Sequence, residues 1–476
     1  MTTFRYPVVV LLLSIIVVVA PAARGQHDPV DQDAESGAVV ARPKSEWYRE
    51  PVFYYLMMLQ LAGTLVMKPQ TPLLGAKAAR NGITSESMGV ILALMPLSGA
   101  LVSPWIGQLL PRIGLRRTLA LGSITMALSG AAFGVLDFLH GPLFVFTAIV
   151  LRILFGFGQA TGMTATAAYW NAACDSFSTV HAVTTAFSTL TGMLVPPACS
   201  LIEMRFGYYM AFIVFGLVSA LIVAFCTITL PDLKEPAPSS SCAGLGAVRR
   251  IPRALAALAV VVANMAAAGL IGVLLPYVFA DLGVSDIGTS LAFSASGLAW
   301  TAGSLLSSRM LDGWRCRASV IMNLYTVLAA LALVMLALVK APLSVAASVI
   351  LLSFSTATGH VAACNLLITE ALAYDTALVP VATGLKISAR AFGEAIGNLF
   401  GGLLYSHGGL ALANWTFVSL TIAAIIAYEV TARWAGNSPH TLPEDDLAVP
   451  LLNNRKPELL GRLWRRLRGM VRPVLL

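Results

Sequence analysis

The chain has 476 residues, of which 57% are hydrophobic and only 11% are charged. Soluble proteins carry about twice that charged share, so the composition predicts an integral, multi-pass membrane protein of an endomembrane, a vesicle or the plasma membrane. The net charge of +8 lies in a few short stretches, which excludes a nucleic-acid-binding protein. The 6 cysteines form no CxxC pair, and neither a metal site nor a cofactor is predicted.

Residues 1–25 contain Arg5, the apolar run from Val8 to Ala20 and then small residues, a pattern typical of a secretory signal peptide. Cleavage would leave the polar linker 26–50 on the non-cytoplasmic side. An uncleaved extra N-terminal span would place that linker in the cytoplasm. A presequence for an organelle is the third interpretation.

Twelve further stretches are long and apolar enough to cross a bilayer, which takes ~20 residues. We number them spans 1 to 12, at roughly 52–75, 86–108, 118–137, 143–171, 180–203, 209–231, 253–280, 287–308, 318–338, 343–370, 379–403 and 411–433. A Pro- and Ser-rich linker at 232–252 separates the two sets of six. The predicted fold is an all-α membrane protein with an N-terminal bundle at 51–231 and a C-terminal bundle at 253–435.

Lys and Arg residues concentrate after spans 2, 6, 8 and 12, whereas the opposite loops carry few of them. Because positive residues stay in the cytoplasm, both ends of the twelve-span unit are predicted to be cytoplasmic. Cleavage of a signal peptide would invert this orientation. In the cytoplasmic tail 436–476, apolar and Arg residues on opposite faces of 456–472 predict a basic amphipathic helix on the membrane surface.

The two sets of spans repeat each other at an offset of 201 residues. Gly82 matches Gly283, both at the start of the second span of their set. Small residues at every fourth position of span 5 match those of span 11: Gly192, Pro196 and Ser200 fall on Gly393, Gly397 and Gly401. Two parallel six-helix repeats are typical of rocking transporters, whose solute site lies between the halves.

The loop between spans 2 and 3 resembles a signature of the major facilitator superfamily: a glycine, an acid, an arginine, a glycine and a basic pair. Its matching residues are Gly107, Arg112, Gly114, Arg116 and Arg117. Pro111 stands where the acid is expected, but Asp312 keeps the acid in the second half. The resemblance implies a cytoplasmic latch that opens as the halves rock, and a plain positive loop is the alternative.

Span 4 contains Arg152, followed by Phe155, Gly156 and Gly158, and is similar to the superfamily's Arg-x-x-Gln-Gly-x-Gly pattern, with Phe155 replacing the glutamine. The resemblance implies that Arg152 takes part in proton coupling. A snorkelling or structurally paired arginine is the alternative.

Span 5, from Gly192 to Ser200, resembles the Gly-x-x-x-Gly-Pro-x-x-Gly motif of proton-driven antiporters, with Pro196 replacing a glycine and Pro197 at the motif's proline. Small residues permit close helix contact, and proline bends the helix. Phrases such as Ser353 to Gly359 further resemble the vesicular amine transporter family, especially its polyamine branch. That resemblance implies antiport of an amine against protons.

Ionisable residues inside spans are costly and therefore mark functional sites. Lys386, Arg390 and Glu394 recur at every fourth position of span 11 and share one face. With Lys68, Arg152 and His360 they form the candidate proton and solute site. Glu394 is the candidate proton carrier because it is the one carboxylate well inside a predicted span. A structural Arg390–Glu394 pair is its alternative, and a neutral, hydrogen-bonded state is the alternative for His360.

The charges do not agree with the amine resemblance. An amine transporter requires a carboxylate opposite its ligand, but span 1 offers Gln60, and the intramembrane set is net positive. The sequence therefore predicts a monomeric secondary transporter, with protons, a small solute and the lipid bilayer as partners. The solute is either an amine, exchanged for protons, or an anion or zwitterion. A non-transporting sensor or scaffold is the other alternative, and no nucleophile and base pair indicates an enzyme.

Overall fold

The computed structural model describes residues 51–436 except 174–176, 231–250, 315, 339–340 and 375–378. The predictions for residues 1–25, 26–50, most of the 232–252 linker and nearly all of the tail lie outside this part. The regular structure of the described residues is helical. The predicted all-α membrane fold is confirmed.

Ten of the twelve spans correspond to separate helices or helix pairs, and one bent helix supplies the last two. Span 1 comprises Pro51–Met67 and Gln70–Arg80, followed by Ser85–Ile113, Leu115–Ala132, Gly141–Ala173, Phe177–Phe206 and Tyr208–Thr229 for spans 2 to 6. The second half contains Pro252–Asp281, Asp286–Ser308, Ala318–Leu338 and Pro342–Tyr374, and Val379–Gly436 forms spans 11 and 12. Gly409, with φ 69°, is the bend in this helix.

Among the described residues, 8 helices are long and apolar enough to cross a membrane by themselves. The helix of spans 11 and 12 is counted once there. Spans 5 and 8 are not among these 8 helices because their many Ser, Thr and Gly residues make them less apolar. These two spans pack against each other across the halves. Span 1 is not among the 8 helices because it consists of two shorter helices.

The break corrects the prediction of one continuous helix at 52–75. The first helix ends at Met67, and Pro69 then interrupts the chain of backbone hydrogen bonds because it has no N–H. The second helix continues to Arg80, beyond the predicted end. Lys68 therefore lies at a break inside the bundle.

The halves pack closely through small residues, in one case at positions that the internal repeat relates. A Cβ atom on Gly75 would lie 2.6 Å from Cγ of Pro276, its partner at the 201-residue offset. One on Gly89 of span 2 would lie 2.6 Å from the Asn398 carbonyl oxygen in span 11. Close backbone approach by small residues is the usual basis of helix packing in membranes.

Candidate functional site

The two halves meet at the ends predicted to be non-cytoplasmic. Ser85 Oγ donates to the Gly402 carbonyl at 3.2 Å, and Tyr277 Oη donates to the Ile83 carbonyl at 2.9 Å. Arg80 of span 1 also forms an ion pair with Asp286 of span 8 at 3.3 Å. These bonds join one half to the other and close this side.

At the opposite ends, the bonds that the structure shows stay within one half. Arg116 donates to carbonyls at the end of span 6, and Arg253 donates to the Ala432 carbonyl and pairs with Glu370 at 3.7 Å. Asn323 donates to Glu429 in the same half. In its described part the protein is therefore closed on the non-cytoplasmic side.

Five of the six candidate proton and solute residues share the space between the halves. Arg390 and Glu394 of span 11 lie within electrostatic range of Lys68 at the break of span 1. Lys386 and Arg390 lie within the same range of His360 in span 10. Lys68 and Arg390 are exposed, and Lys386 and Glu394 are partly exposed, as expected for side chains that line an open cavity.

Glu394 has no ion pair within the described residues. In particular, the possible Arg390–Glu394 pair, expected from their four-residue spacing, is absent. The backbone of Glu394 packs against Gly269 of span 7, which holds the residue in place while its carboxylate stays free. A carboxylate without a fixed partner can exchange protons with water in the cavity.

Arg152, the sixth candidate, is 2% exposed and has specific partners. Its Nη1 donates to Gln70 Oε1 at 3.1 Å and contacts Met95 Sδ, and its guanidinium lies 5.9 Å from the Phe133 ring centroid. Nε has no hydrogen-bond partner in the structure. Glu394 lies within its electrostatic range. This environment resembles that of a paired structural arginine, and the coupling role stays a prediction.

His360 is 5% exposed. Its Nε2 lies 3.6 Å from the Cys364 sulfur, and its ring lies 6.0 Å from the ring of Trp300 in span 8. The residue thus contacts Cys364 and Trp300 and lies beside the cationic side chains of span 11.

Two residues of the superfamily signature lie at helix ends and stabilise them. Gly114 has φ 91° at the start of span 3, a conformation that favours glycine. Arg116 donates from Nε and Nη2 to the carbonyls of Thr227 and Ile228, both at 2.9 Å. Arg117 is exposed. The side chains of Arg112 and Asp312, and any contact of Gly107, lie outside the described part, so the latch stays a prediction.

The small residues of spans 5 and 11 differ in their neighbours. Cβ atoms on Gly393, Gly397 and Gly401 would lie 2.0 to 2.7 Å from atoms of span 7, so these glycines face a helix. Gly192 instead faces the side chain of Lys68. Pro196 and Pro197 lie inside the span 5 helix.

Sequence reasoning missed two amides in the site. Gln70, 0% exposed, accepts from Arg152, and Asn398, 5% exposed, donates to the Leu92 carbonyl across the halves at 3.5 Å. Both are polar residues inside or beside predicted spans, which was the available signal. Gln60, considered for the missing carboxylate, instead donates to Ser188 Oγ at 3.2 Å.

A group of charged residues on the non-cytoplasmic side was also missed. Arg80 pairs with Glu203 of its own half and with Asp286 of the other half, and Lys77 pairs with Asp137 at 2.7 Å. Partial burial acts to lower the pKa of Arg80, but the hydrogen bond and charge of Glu203 outweigh it and raise that pKa. Arg80 therefore keeps its charge at all physiological pH values.

Comparison with curated proteins finds a human relative, the MFS-type transporter SLC18B1, which is 26% identical over 219 residues. The match covers 45% of this chain and 46% of the relative, so the chain spans about half the length of the curated relative it matches. The part of the chain that matches is thus similar to a protein named as a transporter.

Solved structures show the same fold at low identity. A bacterial homologue of the human lysosomal transporter Spinster, inward-facing and unoccupied, superimposes with a TM-score of 0.66 at 12% identity, covering 82% of this chain and 98% of that one. The nucleoside transporter NupG gives 0.64 at 12% identity, covering 80% and 99%. These proteins too are named as transporters, not as enzymes.

The sequence profile described as Major Facilitator Superfamily matches residues 56–377, well over half of the chain. The predicted resemblance to this superfamily is confirmed, as is the prediction of a multi-pass integral membrane protein. With its paired six-helix bundles and the charged space between them, the chain belongs to the Major Facilitator Superfamily.

Proposed function

We propose that this chain is a monomeric secondary transporter that moves a small organic anion by alternating access. One observation carries the proposal: cationic side chains from both halves gather around a single unpaired carboxylate in the space between them. Lys68 comes from the N-terminal half, Lys386, Arg390 and Glu394 come from span 11, and the buried Arg152 lies within electrostatic range of Glu394. The net positive charge of the side chains in this space favours a solute with a carboxylate or phosphate group.

The bonds at the two membrane faces support alternating access. Bonds between the halves close the non-cytoplasmic side, whereas the bonds at the other ends stay within a half. Rocking of one repeat against the other would exchange these two arrangements around the same charged residues. Maintaining unpaired charges inside a bundle is costly, which argues against a scaffold that only kept the fold.

The charge of the solute and the direction of proton coupling are linked at Glu394. Protonation of Glu394 removes a negative charge beside the solute, so an anion and a proton help each other to bind, and the proposed coupling is symport. A cationic solute would compete with the proton for Glu394, which gives antiport. Amine antiport is the second candidate, because the free Glu394 carboxylate could bind an amine and because the sequence resembles the amine branch.

The test is uptake of labelled succinate and of labelled spermidine into proteoliposomes under pH gradients of either polarity. Succinate uptake that is driven by co-directional proton flow and lost in Glu394→Gln supports the proposal. Glu429→Gln is the matched control, since this carboxylate lies in span 12, accepts a hydrogen bond from Asn323, and is not one of the candidate site residues. It should keep transport.

Spermidine uptake against an opposed proton flow, again lost in Glu394→Gln, would overturn the anion proposal in favour of amine antiport. If the folded protein moves neither succinate nor spermidine, both the anion proposal and the amine proposal are wrong. The sensor or scaffold interpretation would then take its place.

A further inference from the structure

The break in span 1 holds Lys68 at the cavity. The Lys68 N–H still donates to the Thr64 carbonyl at 3.1 Å, and a new helix follows Pro69. The corresponding span of the second half, Pro252–Asp281, is one uninterrupted helix. The two halves are therefore not equivalent here, and a lysine stands at the point where they differ.

A buried amide stabilises this break. Gln70 Nε2 donates to the Val66 carbonyl at 2.9 Å, which satisfies a backbone acceptor just before the break. Gln70 Oε1 accepts from Arg152 of span 4. With Gln70 fully buried, the break is fixed from inside its own half, and the Lys68 backbone is held in place.

Span 5 leaves space for the Lys68 side chain at one position. A Cβ atom on Gly192 would lie 2.9 Å from Cε of Lys68, 3.3 Å from Cγ and 3.4 Å from Cδ. The aliphatic part of Lys68 thus runs along the bare backbone of Gly192. Even a methyl group there would move the ammonium group.

The charges around the Lys68 ammonium have a positive excess. Arg390 and Glu394 both lie within its electrostatic range, and no described carboxylate forms an ion pair with Lys68 or Arg390. The two residues belong to opposite halves, so closure of the cytoplasmic side around the site would bring two positive charges closer together. The Glu394 carboxylate offsets only one of these positive charges, so the approach is unfavourable unless an anion binds between Lys68 and Arg390.

We propose that Lys68 is the anion-binding residue of the N-terminal half, that it binds the anionic group of the solute together with Arg390, and that Gly192 positions its side chain. The assignment rests on the proposed anion transport and specifies its solute site. The anion both gains two cationic ligands and removes the repulsion that opposes closure. Solute binding therefore favours the occluded state.

The test uses the full chain in proteoliposomes and measures KM and Vmax for labelled succinate, with the thermal unfolding midpoint as a check on folding. Lys68→Gln should raise KM at least about tenfold, as expected for loss of one charged contact to an anion, whereas Lys68→Arg, which keeps the positive charge, should raise it less. Gly192→Ala should raise KM with little change in the unfolding midpoint. Gly297→Ala is the matched control, because its Cβ atom would lie an ordinary 3.8 Å from Met193.

The double variant distinguishes positioning of Lys68 from a general packing role. If Gly192 acts through Lys68, adding Gly192→Ala to Lys68→Gln should raise KM no further. An unchanged KM in Lys68→Gln, or an equal further loss from Gly192→Ala in that background, would overturn the assignment while leaving anion transport intact. Failure of the wild type to move any anion would overturn the proposed function, and this assignment with it.

Discussion

The pair between Arg80 and Asp286 should bias the carrier toward the state that is closed on the non-cytoplasmic side. Asp286→Asn removes an ion pair of 3.3 Å between side chains that are 50% and 39% exposed. Pairs with this exposure contribute about 0.2–1 kcal/mol, so the ratio of closed to open carriers should fall by a factor of about 1.4 to 5. Arg80→Ala should shift closure by a similar factor, because its other pair, with Glu203, lies within one half and is lost in both states. Leaving Glu203, 8% exposed, without its partner should instead lower the stability of the fold by about 1–3 kcal/mol.

The assay is the distance distribution between spin labels at His140→Cys and His407→Cys, one in each half on the non-cytoplasmic side, in a background without native cysteines. Asp286→Asn and Arg80→Ala should each increase the fraction of molecules in which the two spin labels are far apart. Asp137→Asn is the control, since Asp137 pairs with Lys77 at 2.7 Å on the same side but within one half. Equal shifts from Asp137→Asn, or no shift from Arg80→Ala, would refute a role for this pair in closure.

Two further predictions concern the stability of the fold. Gly397→Ala would place a methyl group about 2.0 Å from the Ala266 carbonyl oxygen and should destabilise the fold by about 1–3 kcal/mol, seen as earlier thermal unfolding in detergent. Gly384→Ala, with nothing within 4 Å, should leave unfolding unchanged, and equal losses would contradict the packing. Arg116→Ala removes two hydrogen bonds to the end of span 6 and should cost about 1–2 kcal/mol in the same assay, whereas the exposed Arg117→Ala should cost little.

The number of spans, the repeat and the family could be predicted because they depend on local composition and on residues that recur in order. Bilayer crossing is a property of ~20 consecutive residues, and it is visible without knowing which helix lies beside which. The same holds for the cost of a charge inside a span, which is why Lys386, Arg390 and Glu394 could be selected from the sequence.

Side-chain partners could not be predicted in this way. The four-residue spacing of Arg390 and Glu394 allowed a pair, but the structure keeps them apart, because a neighbouring helix and the cavity decide where each side chain turns. Gly192 fits the pattern of a helix-packing glycine, yet it faces Lys68. Gln70 became significant only as the residue that joins Arg152 to the break of span 1.

The sequence by itself thus determined that the chain is a twofold-repeated membrane bundle with charges in its interior, since hydropathy and burial cost act on each span separately. Only the tertiary structure decided which side is closed, where span 1 breaks and which charges stay unpaired. These features depend on contacts between spans that are distant in sequence, such as Arg80 with Asp286 and Lys68 with Gly192. No pattern along a single helix contains that information.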